Sequence, residues 1–209
     1  MFLLIYVEFR KTSSRANEIP PNTALTVRVL VVETKPSPPT NKDWKRKGNS
    51  IKNNGVSNFT QKVICGVAVD IYSIMMIDQY DVQAIPDAWQ KFWQKFPKES
   101  LPNDSKAYGV STPITTEPGK LHYVAGVEVS SDFQAPEGFE LVTIPNGKYL
   151  ELEHSGNISE LAQSYGAAYG VEFPKSGLEM RPAPHIELYD ATLNPISDDY
   201  KMGILIPVN

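Results

Sequence analysis

The sequence predicts an α+β fold of two β-α-β-β units related by pseudo-twofold symmetry, with antiparallel sheet and two helices flanking a ligand groove. Three observations predict it. Apolar, β-branched runs alternate with helical patterns in the same order twice within residues 59–209. An offset of 79 lays the strand pairs of the two halves on each other, so that Val127 and Val129 meet Ile206 and Val208. An offset of 69 lays Trp89, Phe92, Trp93 and Phe96 on Ile158, Leu161, Ala162 and Tyr165.

The elements follow in order. Residues 1–58 are expected to form an extension and linker, poorly ordered or at most a short strand pair. Residues 23–35 are β-branched and strand-like, with the opening apolar run as partner. Residues 36–58 hold Pro36, Pro38, Pro39 and the cluster Lys45-Arg46-Lys47, and read as linker. No helical periodicity occurs in residues 1–58, so a helix-turn-helix has no place there. Residues 61–74 read as a strand. Ile85-Pro86-Asp87 opens a helix, Pro suiting the first turn, and Trp89, Phe92, Trp93 and Phe96 recur at i, i+3, i+4, i+7 on one face. Residues 107–115 and 121–130 read as a strand pair. Residues 139–154 supply strands broken at Pro145-Asn146-Gly147. Asn157 and Glu160 resemble a helix-capping pair, with Ile158, Leu161, Ala162, Tyr165 and Tyr169 on one face behind it. Residues 185–192 and 200–208 close the second unit.

Composition narrows the function. The 209 residues are 41% hydrophobic, which excludes a wholly disordered chain. A single Cys excludes a disulfide framework and a multi-thiolate zinc site, and Cys65 sits in an apolar run as a small buried hydrophobe. Net charge is −4, unevenly spread. Residues 1–60 carry ten Lys/Arg against four Asp/Glu, hence +6; residues 61–209 carry ten against twenty, hence −10. A −10 body is a poor surface for nucleic acid and compatible with a cationic partner. The opening run Met1–Val7 is too short to span a bilayer and follows no basic region, so no signal peptide, no membrane contact and a cytoplasmic location are expected. No cofactor and no metal are expected; the three His are scattered.

The chemistry points to one strand. Glu187 lies in Pro184-His185-Ile186-Glu187-Leu188-Tyr189. A carboxylate in a central strand is costly unless exposed or paired. Alternation places Glu187 on one face with His185 and Tyr189, and the offset of 79 sets Tyr108 opposite it. Tyr149, Tyr165, Tyr169 and Tyr189 supply aromatic faces, which attract cations through their quadrupole. His122 and His185 read as structural strand residues and His154 as a turn residue.

Ile85-Pro86 with Trp89 and Phe92, Tyr108-Gly109-Val110, Tyr123 to Val129, Gly147-Lys148-Tyr149, His154-Ser155-Gly156, Phe173-Pro174-Lys175-Ser176-Gly177 and Ile186-Glu187-Leu188-Tyr189 resemble the GyrI-like effector-binding family. The similarity runs from Phe59 to Asn209. It implies a domain of the kind found as the sensor half of AraC- and MerR-type multidrug regulators and as free-standing integron cassette proteins. It also implies a groove for bulky lipophilic cations in which the Glu of the Ile-Glu-Leu-Tyr segment, here Glu187, is the carboxylate. The family often has Trp where this chain has Phe173, which implies a differently shaped wall.

The expected ligand-binding set is therefore Glu187, Tyr108, Trp89, Trp93, Tyr149, Tyr169, Phe173 and Tyr189. The expected function is binding of lipophilic, cationic small molecules rather than catalysis. Two alternatives stand beside it: a hydrolase using Glu187 with Tyr149 or Tyr108, and a co-regulator of transcription acting through a partner protein. A protein partner or a homodimer is compatible with the sequence, and direct nucleic-acid contact is not expected.

Overall fold

The computed structural model describes residues 2–10, 26–34, 51–74, 76, 78–102, 106–191 and 197–209, the first two segments as backbone only. Those two segments, β1 (Phe2–Arg10) and β2 (Thr26–Thr34), pair antiparallel as a ribbon of their own. Of the linker expected over 36–58, residues 36–50 lie outside the described residues.

Eight strands form one antiparallel sheet. They are β3 (Lys52–Phe59), β4 (Lys62–Tyr72), β5 (Lys106–Pro113), β6 (Lys120–Val129), β7 (Glu140–Ile144), β8 (Gly147–Ser155), β9 (His185–Asp190) and β10 (Lys201–Val208). Their order is β3-β8-β10-β9-β5-β6-β4-β7. The central six, β8-β10-β9 followed by β5-β6-β4, read the same from either end once the units are overlaid. Each unit supplies three strands, and the pseudo-twofold axis passes between β9 and β5. Helix α1 (Ala84–Lys95) belongs to the first unit. The second unit has a composite helix: a 3-10 turn at Ile158–Glu160, α2 (Leu161–Ala167), a π turn at Ala168–Glu172 and α3 (Phe173–Ser176). Asn157 caps it as expected, its side chain accepting from the Ser159 N–H.

Strand β3 departs from expectation, because residues 52–58 were read as linker and instead pair with β8 around a bulge between Asn53 and Gly55. An edge strand buries little, so it needs no apolar alternation; besides its backbone ladder it is held by polar side chains, Ser57 donating to Glu151 and Asn53 Oδ1 accepting from the Gly55 N–H. Val56 on β3 is 48% exposed.

The sheet curls. β7 and β8 are separated by two residues and β3 and β4 by two, yet each pair lies far apart in the strand order. Curling buries a core of Ile64, Tyr108, Val110, Val124, Ile144, Tyr149, Ile186 and Leu205 on one face. The register pair Gly66↔Gly126 eases this, because a Cβ on either would run into the backbone of the neighbouring strand. The other face carries the helices. Phe92 of α1 and Phe96, the residue just after that helix, pack with Cys65 and Val127, while Tyr165 and Tyr169 pack against Leu150, Leu152, Ile204 and Ile206. Cys65 is fully buried, and burial pushes its thiol up to about 11, so it is inert packing.

His122 on β6 faces its register partner Asp70 on β4 at 2.8 Å and Glu140 on β7 at 3.0 Å. Burial alone would lower its pKa; the bonds to the two carboxylates outweigh that and raise it. A raised folded pKa contributes stability that is fully present below the unfolded value, about 6.5, and is lost as pH rises through the folded one. The melting temperature of the wild-type chain is therefore expected to fall more between about pH 6 and pH 8 than that of His122→Gln. Superimposable pH profiles would refute the contribution.

Candidate functional site

A cavity of about 480 Å³ opens between α1, the second-unit helix and the helix-bearing face of the sheet. Alternation along β9 aims His185, Glu187 and Tyr189 into it, while Ile186 points to the opposite core. Helix α1 contributes Trp89 and Trp93, one turn apart and stacked at 6.1 Å with 18° between planes. The second helix contributes Tyr165 and Tyr169, also one turn apart, at 6.0 Å and 4°. The offset that overlays these two pairs is 76 (165 − 89), against the 69 that sequence pattern favours.

Glu187 is the centre of the site, 7% exposed. Three phenolic hydroxyls donate to it: Tyr123 from β6 at 2.9 Å, Tyr189 from its own strand at 2.5 Å, and Tyr165 from α2 through a short bond. Trp89 Nε1–H donates to the Tyr123 oxygen at 3.1 Å, which leaves the Tyr123 proton for Glu187. Among the described residues no Lys or Arg forms an ion pair with this carboxylate. Burial first, and the Glu187 charge second, push the pKa values of Tyr123, Tyr165 and Tyr189 well above the phenol range. Tyr80, on the loop before α1, is pushed up to about 12 for the same reasons. These phenols stay protonated and serve as donors.

A second polar pair lies beside the first. The Tyr169 hydroxyl meets His185 Nδ1 at 2.7 Å. Burial pushes the His185 pKa down to about 4, so the ring is neutral.

Of the eight residues expected from sequence, Glu187, Trp89, Trp93, Tyr169 and Tyr189 line the cavity. Tyr108 and Tyr149 do not. Both are buried in the core on the opposite face, where Tyr149 donates to the Pro184 carbonyl at 3.2 Å and lies 5.3 Å beneath the Arg181 guanidinium. Phe173 packs against the core under the second helix. The Tyr108 assignment fails by one residue. Ala125 pairs with Gly109, and Ile204 pairs with Glu187. The offset of 79 carries Ala125 onto Ile204, so the counterpart of Glu187 is Gly109 and that of Tyr108 is Ile186. His154, read as a turn residue, is buried on β8 and ties it to α2 through Ser164 Oγ at 2.7 Å.

Sequence reasoning missed Tyr123, Tyr80 and Gly109. Gly109 is the register partner of Glu187. A Cβ there would stand 2.5 Å from Glu187 Oε2 and closer still to the Tyr123 hydroxyl. The missing side chain is what lets those two groups meet. Glycine inside a strand is the signal that could have found it, since it marks close approach.

The sequence matches the GyrI-like small molecule binding domain over residues 72–209, and the chain belongs to that family. The transcriptional regulator BrlR of Pseudomonas aeruginosa is 28% identical over 138 residues, which are 62% of this chain and 50% of BrlR. The chain thus spans about half the length of the curated relative it matches. Two solved structures share the fold. SAV2435 bound to tetraphenylphosphonium has a TM-score of 0.61 at 18% identity, covering 76% of this chain and 94% of that one. The integron cassette protein VCH_CASS2 from the mobile metagenome of Vibrio cholerae has a TM-score of 0.57 at 17% identity, covering 76% and 99%. Among the described residues no helix is long and apolar enough to cross a membrane.

Gly109→Ala is expected to lower the unfolding free energy by about 1–3 kcal/mol, the usual cost of overpacking a filled site. Gly170→Ala is the control: its Cβ would meet nothing within 4 Å, so it should be neutral or stabilising. Urea unfolding of both variants checks the pair, and equal effects would remove the steric argument.

Proposed function

We propose that the cavity binds lipophilic organic cations without chemical turnover, Glu187 supplying the counter-charge and Trp89, Trp93, Tyr165 and Tyr189 the aromatic walls. The observation that carries this reading is the buried Glu187 carboxylate, satisfied in hydrogen bonds by three tyrosines and lacking an ion-pair partner among the described residues. Hydrogen bonds solvate such a charge but do not neutralise it; a cation in the cavity does. The stacked indoles suit the same charge through their π faces. Hydrolysis is supported less well. A general base needs a lone pair free for the reacting proton, and three of the roughly four acceptor sites of this carboxylate are taken. The family membership and the tetraphenylphosphonium in the SAV2435 structure support the same reading.

The test is Glu187→Gln with tetraphenylphosphonium and, as neutral analogue, triphenylphosphine oxide, both measured by calorimetry. The cation is expected to lose on the order of 100- to 300-fold in affinity, as removal of one charge about 5 Å away at an effective dielectric of about 20 implies. The oxide should change little. Equal loss for both ligands would overturn the role of the charge.

A further inference from the structure

The geometry points to a second, uncharged subsite in the same cavity, in which Tyr169 and His185 present a hydrogen-bond donor to an oxygen acceptor carried by the bound cation. The ligand class is then a lipophilic cation bearing a ketone, ester or ether some way from its charge. This rests on the cation reading above and adds a specificity element to it.

Proton counting carries the inference. A neutral imidazole has one N–H and a phenol one O–H. The two side chains share a single bond at 2.7 Å, their one polar contact among the described residues. One donor proton is therefore left over. If Tyr169 donates to Nδ1, the spare donor is the His185 Nε2–H; if Nδ1–H donates, it is the Tyr169 hydroxyl. Either way a donor stays available in a cavity whose walls are mostly apolar, since both residues line it. The suppressed basicity of His185 keeps the ring uncharged across the physiological range, so this end of the cavity adds no second cation to repel a ligand held at Glu187. Glu187 and His185 stand two residues apart on one face of β9, which separates charge site and donor site by roughly 6–7 Å. A ligand that is hydrocarbon throughout buries the donor without a partner, which is costly. One with an acceptor at that spacing completes it.

The test uses the full chain and two probes of matched shape: hexyltriphenylphosphonium, and the ketone in which the penultimate methylene of the hexyl chain is a carbonyl. Affinities for both are measured with wild type, the double variant Tyr169→Phe/His185→Phe and the single variant Tyr169→Phe. The ratio of ketone to hexyl affinity is expected to fall about 5- to 10-fold in the double variant, which removes both donors, the usual worth of one such bond, and to recover in Tyr169→Phe, whose neutral imidazole keeps one N–H. Should the double variant not fold by circular dichroism, Tyr169→Phe/His185→Met, also without a donor, takes its place. An unchanged ratio overturns the subsite while leaving the cation reading intact. Failure of wild type to bind either phosphonium overturns the cation reading itself, and the subsite with it.

Discussion

The carboxylate of Glu187 accepts three tyrosine hydroxyls inside a cavity, and the surrounding structure is arranged to make that arrangement bearable. Removing a charge from water costs several kcal/mol even after relaxation. Here the compensation comes from β6, α2 and β9 at once, through Tyr123, Tyr165 and Tyr189. Two of those donors are in turn braced by one indole. Trp89 bonds the Tyr123 oxygen and packs edge-on against the Tyr189 ring at 5.3 Å. The helix of the first unit thus fixes the charge carried by the second. A change to Trp89 acts on Glu187 without touching it.

The helix and strand periods explain how two polar pairs fit side by side. Residues one helical turn apart rise about 6 Å, and alternate strand residues about 6.6 Å. Tyr165 and Tyr169 are i and i+4; Glu187 and His185 are two apart on one strand face. The near match lets Tyr165 reach Glu187 while Tyr169 reaches His185. The tyrosine rings stay almost coplanar in orientation as a result. The π turn begins directly after, at Ala168, and carries Tyr169. Such turns recur at functional sites because they displace a side chain from regular helical phase.

Much of this was legible in the sequence. The aromatic spacing in α1 and the alternation around Glu187 are local and strong, because each follows from the period of a single element. The failures are of other kinds. β3 carries no apolar alternation, since an edge strand held by its backbone ladder and by polar side-chain bonds buries too little to need one. Residue type points Tyr149 toward the cavity and the offset of 79 points Tyr108 there, but a strand position belongs to one face only, and an error of one residue in the offset moves Tyr108 to the other. Tyr123 lies in a strand rich in small apolar residues and shows no sign that its hydroxyl has a buried acceptor. That acceptor is 64 residues away in sequence, and only the sheet order brings it near.

The symmetry gives the deepest reason for the site's asymmetry. With Gly109 as the counterpart of Glu187, the pseudo-twofold axis runs through the ladder pair they form. Symmetry-equivalent positions normally lie apart, but at the axis they face each other across a single step of the sheet. Both point into the same space. Two carboxylates there would repel, and two bulky side chains would collide, so an exact duplication of the site is physically excluded. One half has to give up its side chain for the other to keep one. The first unit does so at Gly109 and contributes a mainly aromatic wall through Trp89 and Trp93. The second keeps the charge at Glu187, most of its donors and the His185–Tyr169 pair. The overall excess of acidic residues in the body of the chain is dispersed and screened over a Debye length of about 8 Å in physiological salt. The single charge at the axis is not, and the proposed selectivity for cations follows from where it sits rather than from the net count.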